Sequence, residues 1–307
     1  MRRFFTLTAC LLVALSASGQ GLDLKVCSYN LWTDSAREST IKKGSAHPDR
    51  CWSKSKESMG ALIADIGADV YGVQECMQVI REELPREVKK AGKKDLEWWF
   101  TLSYPNSSWG ANSPGNGMAF NKKRFKISNK RIFWLSETPY EESGGWDAPK
   151  EHRAVQVCTL TEKSSGKQFV FMVTHTALKP EANKKNANVL IWVEQTYNTK
   201  HLPCILVGDM NARPESPFTE IVRTWWKDSY DLWPGEKPQV RKGTFNSSSG
   251  KVPEKITNCI DFVDVKTEAE DGCEVSSYEV RYDRYNIGSI YTYPSDHCPV
   301  VTELHLK

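Results

Sequence analysis

The sequence predicts an α/β (α+β) fold, a sandwich of packed mixed β-sheets with a few helices, on three observations. Short apolar strand candidates recur along nearly the whole chain, two segments have helical rather than strand periodicity, and no repeat or low-complexity linker divides residues 22–307. Leu24 to Tyr29 is the first strand candidate and ends in the polar Asn30. Met59, Leu62, Ile63 and Ile66 then follow the i, i+3, i+4, i+7 spacing of an amphipathic helix, with Gly67 as its stop. Asp69 to Val73 reads as the next strand.

Further strands are expected at Gly117–Phe120, Arg131–Leu135, Ala154–Leu160, Phe169–Thr174, Ile260–Val265 and Pro299–Leu304. Val189, Leu190, Val193 and Tyr197 mark a second helix, and Pro203 to Val207 is a continuous apolar run of the kind buried on both faces. Regions 104–116 and 234–257, rich in Ser, Asn, Gly and Pro, are expected to be rim loops, because strands resume on both sides of each.

The first residues read differently. Arg2 and Arg3 precede an uncharged stretch, Phe4 to Ala17, followed by the small residues Ser18 and Gly19. This is the pattern of a secretory signal peptide, expected over residues 1–20, with a single catalytic domain over 21–307 and a periplasmic or extracellular location. The apolar stretch is too short for a comfortable membrane span. Of 307 residues, 41 are Lys or Arg and 38 Asp or Glu, a formal charge of +3. Loss of the leader leaves 39 against 38, or +1, so composition predicts no standing basic surface for nucleic acid. Nine cysteines become eight, an even number that permits disulfides in an exported chain, and one or two are expected.

The chemistry lies where strands stop. Six strands run into a carboxylate, amide or imidazole: Asn30, Glu75, His175, Asp209 with Asn211, Asp261, and Asp296 with His297. Singly, each has an ordinary explanation. Gly208-Asp209 reads as a turn, His175 as a hydrogen-bonded structural imidazole, Asp261 as a cap and Glu75 as a solvated strand-end charge. Jointly, polar groups that project beyond adjacent strand ends can converge on one rim of a sheet. Asn30, Glu75, Asp209 and Asp261 offer the hard oxygens that suit Mg²⁺ or Mn²⁺. His297 beside Asp296 resembles a base with a carboxylate that fixes its tautomer. Asn211, two residues from Asp209, falls on the same side of an extended segment. A divalent cation, a base and amide donors are the parts needed to drive water onto phosphorus.

With these strings in view, Ser28-Tyr29-Asn30, Val73-Gln74-Glu75, Val173-Thr174-His175, Gly208-Asp209-Met210-Asn211 and Ser295-Asp296-His297, the chain resembles the endonuclease/exonuclease/phosphatase superfamily over its whole mature length. Phe133 to Pro139, Gly145-Trp146-Asp147 with Arg153, and Gly243-Thr244-Phe245 add to the likeness. The resemblance implies a four-layer sandwich, two mixed sheets face to face with helices outside, and one metal-dependent site at the sheet edges. It implies Glu75 as the main metal carboxylate and Asn30 as a ligand or phosphate-positioning amide. Asp209 would ligate a metal or orient the water, and His175 and Asn211 would contact phosphate and transition state. It further implies His297 as general base held by Asp296, Asp261 orienting the His175 imidazole, and Arg153 on the phosphate side.

The chain departs from the pattern in places. His175 is followed by Thr176-Ala177-Leu178-Lys179 where many bacterial relatives have a second acid and imidazole, and Asn116 to Phe120 lacks a common Glu and Tyr. The expectation is an exported, Mg²⁺- or Mn²⁺-dependent, monomeric phosphoesterase. A phosphodiesterase of nuclease type is the first substrate reading, and a phospholipid or small phosphoester, such as a sugar phosphate, the second. Trp98-Trp99-Phe100 and Trp225-Trp226 would serve the lipid reading as a wedge, and Lys122-Lys123-Arg124 with Lys126 and Lys184-Lys185 the nucleic-acid reading. The rival from another class is a binding module that kept the fold and lost the chemistry.

Overall fold

The computed structural model describes residues 21–36, 47–108, 110–247 and 253–307. The leader read from residues 1–20, with Cys10, lies outside the described residues. Nine strands form near the positions expected from sequence: β1 (Leu22–Asn30), β2 (Val70–Gln74), β4 (Gly117–Asn121), β5 (Phe125–Trp134), β6 (Ala154–Glu162), β7 (Gln168–His175), β8 (Cys204–Asp209), β10 (Asp261–Lys266) and β14 (Val300–Leu306). The chain adds β3 (Leu96–Phe100), β9 (Lys227–Asp228), β11 (Cys273–Val280) and the hairpin β12 (Tyr285–Ile287) and β13 (Ile290–Thr292). The helices are α1 (Trp52–Ile66), α2 (Gln78–Lys90), α3 (Pro180–Tyr197), and the short α4 (Pro217–Val222) and α5 (Ser229–Leu232).

Two six-stranded mixed sheets result, in the orders β11-β14-β1-β2-β4-β3 and β5-β6-β7-β8-β10-β9. The alternation of side chains decides how they stack. On β7, Phe169, Phe171 and Val173 face the other sheet, joining Leu24 and Val26 of β1, Met118 and Phe120 of β4, and Ile205 and Val207 of β8. Val170 and Met172 of the same strand point outward, against Leu190 and Val193 of α3. On β1, Cys27 and Tyr29 likewise turn outward toward Met59, Leu62 and Ile63 of α1. Both faces of the central strands are therefore apolar, which is why they read as continuous runs, and the order is helix, sheet, sheet, helix.

Helix α1 stops at Gly67, which adopts φ 63° and donates its N–H to the Ile63 carbonyl. Gly72 sets the closeness of the sheets, since a Cβ there would lie 2.2 Å from Val207 Cγ2.

Several expectations from sequence need correction. Every described cysteine is unpaired, so the expected disulfides are absent among the described residues. Burial raises the Cys259 and Cys298 thiols to about 12, as fits thiols packed in apolar surroundings. The tryptophan pairs pack into the fold, with Trp98, Trp99 and Trp225 half-buried. Trp226 is buried, Trp225 Nε1 donates to Glu194, and Trp98 stacks on Phe100 within β3. Among the described residues no helix is long and apolar enough to cross a membrane.

Candidate active site

Strand direction brings the polar ends together. β1 and β2 run parallel, so Asn30 pairs with Gln74 and Glu75 follows at the same edge. In the other sheet β7 and β8 are parallel and β10 antiparallel to β8, which puts His175, Asp209 and Asp261 in one row across three strands. Asp296 and His297 precede β14, the antiparallel neighbour of β1. Six loops from two sheets thus converge on one edge of the sandwich.

The turns there are tight. Trp32, Glu75 and Asn211 all have positive φ, 65°, 62° and 45°, a conformation uncommon for residues other than glycine. Such strain persists where surrounding contacts hold it. Glu75 is held from both ends: Thr33 donates its N–H to Oε2 and its hydroxyl to the Glu75 carbonyl. Asn211 is not extended, as the spacing argument required. Its N–H bonds Asp209 Oδ1 at 2.9 Å, and its side-chain amide reaches the Thr176 carbonyl at 3.0 Å.

Asn30 sits at the centre and is fully buried. Its Oδ1 accepts the Trp32 N–H at 3.0 Å, and its NH₂ donates to Glu75 Oε1 at 3.1 Å and Asp209 Oδ2 at 2.9 Å. The left-handed turn at Trp32 fixes the amide that the sequence reads as a metal ligand or phosphate-positioning group. Asn30 also bridges the two carboxylates and fixes their spacing.

The pairing of acids and imidazoles also differs from the expectation. Asp261 Oδ2 lies 2.8 Å from His297 Nδ1, whereas Asp296 Oδ1 is 4.0 Å from Nε2. Asp261 therefore orients His297, not His175, and Asp296 is not the orienting partner. The reason is the sheet register: Asp261 sits opposite Asp209 on an adjacent strand, within reach of His297 Nδ1, while Asp296 lies beyond hydrogen-bond distance of the ring. His175 has Asp209 Oδ2 at 3.4 Å from Nε2 and Glu75 Oε1 at 3.9 Å from Nδ1.

Burial pushes the Asp209 carboxyl up to about 6, helped by Asp261 and opposed by His297. Burial, opposed by His297 and reinforced by Glu75, pushes Asp296 up to about 7. Burial opposes charge on His297, but Asp261 and Asp209 outweigh it and raise its pKa well above the usual imidazole value. For His175, burial together with Arg153 and His297 keeps the ring neutral.

This crowding of acids is the observation that fits a cation. One ligand atom each from Glu75, His175 and Asp209 lies within 4.8 Å of the others, as do those from Asp209, Asp261 and His297. Asp261 Oδ1 is buried without a hydrogen-bond partner. An oxygen-rich set of this kind suits a hard divalent ion.

Arg153 precedes β6 beside the His175 strand and lines a pocket of about 410 Å³ together with Glu75, His175, Asp296, Tyr104 and His152. Its Nε has no hydrogen bond and is paired with Glu151 Oε2 at 3.5 Å. Tyr104, Pro114, Gly115 and Asn116 bring the 104–116 loop into that wall. Asn246 of the 234–257 loop donates to the Asp296 carbonyl at 2.7 Å.

Sequence reasoning missed Arg50. It is 1% exposed, bonds the carbonyls of Ser295 and Ser247, and lies 4.6 Å from the centre of the Trp32 ring. It ties the Trp32 turn to both loops beside His297. No motif announced it, since its partners are backbone carbonyls about 200 residues away. His152, adjacent to Arg153, was the one missed residue with a sequence cue.

Comparison with known proteins agrees with this geometry. A model of the family described as "Endonuclease/Exonuclease/phosphatase family" matches residues 27–297. No curated protein matches. Among solved structures, an endonuclease/exonuclease/phosphatase family protein from Bacteroides thetaiotaomicron is 24% identical, with 94% of this chain and 100% of that one covered at TM-score 0.76. A mannosyl-6-phosphatase from the same organism is 24% identical over 92% and 99%, at 0.74. TDP2 from D. rerio, complexed with a single-strand DNA product, is 15% identical over 92% and 98%, at 0.64. The chain belongs to the endonuclease/exonuclease/phosphatase family of metal-dependent phosphoester hydrolases.

Proposed function

We propose that this chain is an exported, Mg²⁺- or Mn²⁺-dependent phosphoesterase acting on a small phosphoester. The observation that carries the substrate reading is the pocket of about 410 Å³ that Arg153 lines together with Glu75, His175 and Asp296. The expected phosphate-tracking cations offer a nucleic acid little. β4 is antiparallel to β2, so Lys122-Lys123-Arg124 follow its far end, away from Glu75. There Arg124 is paired with Asp69 and Glu162; on α3, Lys185 is paired with Glu181, and Lys184 lines a groove beside the site. The 24% identical structure named as a mannosyl-6-phosphatase is consistent with a small substrate. Export rests on the leader pattern of residues 1–20.

Glu75 and Asp209 would hold the cation, which supplies positive charge to the phosphoryl oxygens. The chain's own residues do the rest. Arg153 and neutral His175 contact the phosphate. Asp261 binds His297 Nδ1 and so leaves Nε2 to face Asp209 at 3.6 Å. With the charge of Asp209 compensated, less holds a proton on His297, and Nε2 accepts one from the attacking water. Asn30 keeps Glu75 and Asp209 in register throughout.

A phosphodiester is the second reading. A groove of about 650 Å³ lined by Asn211, Arg213 and Lys184 adjoins the pocket at Leu178 and has room for a second organic group. The test is hydrolysis of p-nitrophenyl phosphate and bis-p-nitrophenyl phosphate, with Mg²⁺ or EDTA. The monoester should be the better substrate, EDTA should abolish both rates, and His297→Ala should lower kcat by about 10²-fold or more. Turnover that survives EDTA sinks the reading, and a preference for the diester promotes the second one.

A further inference from the structure

One wall of the pocket is organised around a side chain that the chemistry above leaves unused. The His152 ring stacks on Tyr104, with centroids 4.7 Å apart and planes 20° from parallel. The Tyr104 hydroxyl accepts the His152 N–H at 3.1 Å and donates to the Lys150 carbonyl at 3.2 Å. Glu142 Oε1 lies 3.0 Å from His152 Nδ1, and the same carboxylate accepts the Asn106 N–H through Oε2 at 2.7 Å. The ring is thus fixed in plane and in tautomer, with Nδ1 as the donor to Glu142. Nε2 has no hydrogen-bond partner among the described residues, although the side chain is only 24% exposed and lines the pocket next to Arg153.

We infer that His152 is a specificity-determining residue whose Nε2 binds a hydroxyl of the organic group esterified to the phosphate. The ligand class is a polyol or sugar phosphate, and the inference rests on the small-phosphoester reading. A neutral imidazole held this way accepts a hydrogen bond at Nε2, and a protonated one donates, so a hydroxyl satisfies it in either state. Ser103, half-buried on the same wall, offers a further polar atom to a ligand with several hydroxyls. A substrate without hydroxyls leaves Nε2 desolvated and unpaired, the condition under which a polar site discriminates most strongly.

The test is steady-state kinetics with Mg²⁺ on a hexose 6-phosphate, glycerol phosphate and phenyl phosphate, for the wild type, His152→Ala and His152→Gln. Wild type should favour the polyol esters. In His152→Ala the kcat/KM ratio of hexose phosphate to phenyl phosphate should fall at least about tenfold, chiefly through KM. His152→Gln, which keeps a hydrogen-bonding end, should recover part of it and carries the test if the alanine variant does not fold. A parallel loss on all three esters would show that His152 only braces the 104–116 loop, and overturns the inference. Wild-type turnover of phenyl phosphate without any polyol ester also overturns it, with the phosphoesterase reading intact. Turnover of none of the monoesters overturns both.

Discussion

Asp261 and Asp296 show how much one carboxylate's position decides at the residue scale. Both are acids near His297, and only Asp261 is within hydrogen-bond distance of its ring. If Asp261 acts by holding the base, its effect passes through the imidazole. Asp261→Asn should therefore lower kcat by about 10²-fold with little change in KM, and the double variant with His297→Ala should be no slower than His297→Ala alone. Additive losses would separate the two residues. Glu75 belongs to a different task. Glu75→Gln should weaken the rise in melting temperature that Mg²⁺ or Mn²⁺ confers on wild type, read by calorimetry without substrate. An undiminished rise would remove Glu75 from the cation site. The residue types of this site were legible in the sequence, since carboxylates and imidazoles at strand ends carry their own chemistry. Which acid meets which imidazole was not, because that depends on the register of β8 against β10.

At the scale of elements, the positions of strands and helices followed side-chain periodicity where burial was two-faced or strongly one-faced. Of the elements that escaped it, three did so for identifiable reasons. β11 alternates as an edge strand should, but a bulge between Val275 and Ser277 breaks the period. α2 buries only Ile80, Leu84, Glu87 and Val88 in thirteen residues and carries Pro85, so its apolar signal is thin. β3 is a half-buried edge strand whose tryptophans read equally well as a surface feature.

The join between elements makes its own predictions. Gly72→Ala drives a methyl into Val207 between the sheets and should cost about 1–3 kcal/mol, read as a lower denaturation midpoint with an unchanged slope. No loss would mean that the sheets separate without cost. Arg50→Met leaves the Ser295 and Ser247 carbonyls without their donor and should cost about 1–3 kcal/mol as well. Wild-type stability in that variant would show that the three loops hold their places unaided.

For the whole molecule, the question of covalent support is settled by packing. Seven of the eight described cysteines are buried, and none is paired. The two-sheet core and its helix layers leave these thiols acting as small apolar side chains. The native protein should accordingly react slowly with a water-soluble disulfide reagent at pH 8, with half-buried Cys273 first, and all eight should react at once in denaturant without prior reduction. Fewer than eight in denaturant would reveal a disulfide. An even cysteine count carries no pairing information by itself, because pairing needs Cα atoms within about 7 Å, a condition set only by the fold.

The sequence by itself determined the strand and helix pattern, the family likeness and the residue types of a metal-dependent site. Those features are local: apolar periodicity records which face is buried, and hard oxygen ligands record what ion is wanted. Tertiary structure decided everything that depends on residues far apart in the chain. It turned the Asn30 oxygen to Trp32, gave His297 to Asp261, sealed Arg50 behind the turn and stacked His152 on Tyr104 in the pocket that Arg153 lines. The physical reason is common to all four. Each is a buried or half-buried polar side chain, and only the folded chain fixes which partner is within reach.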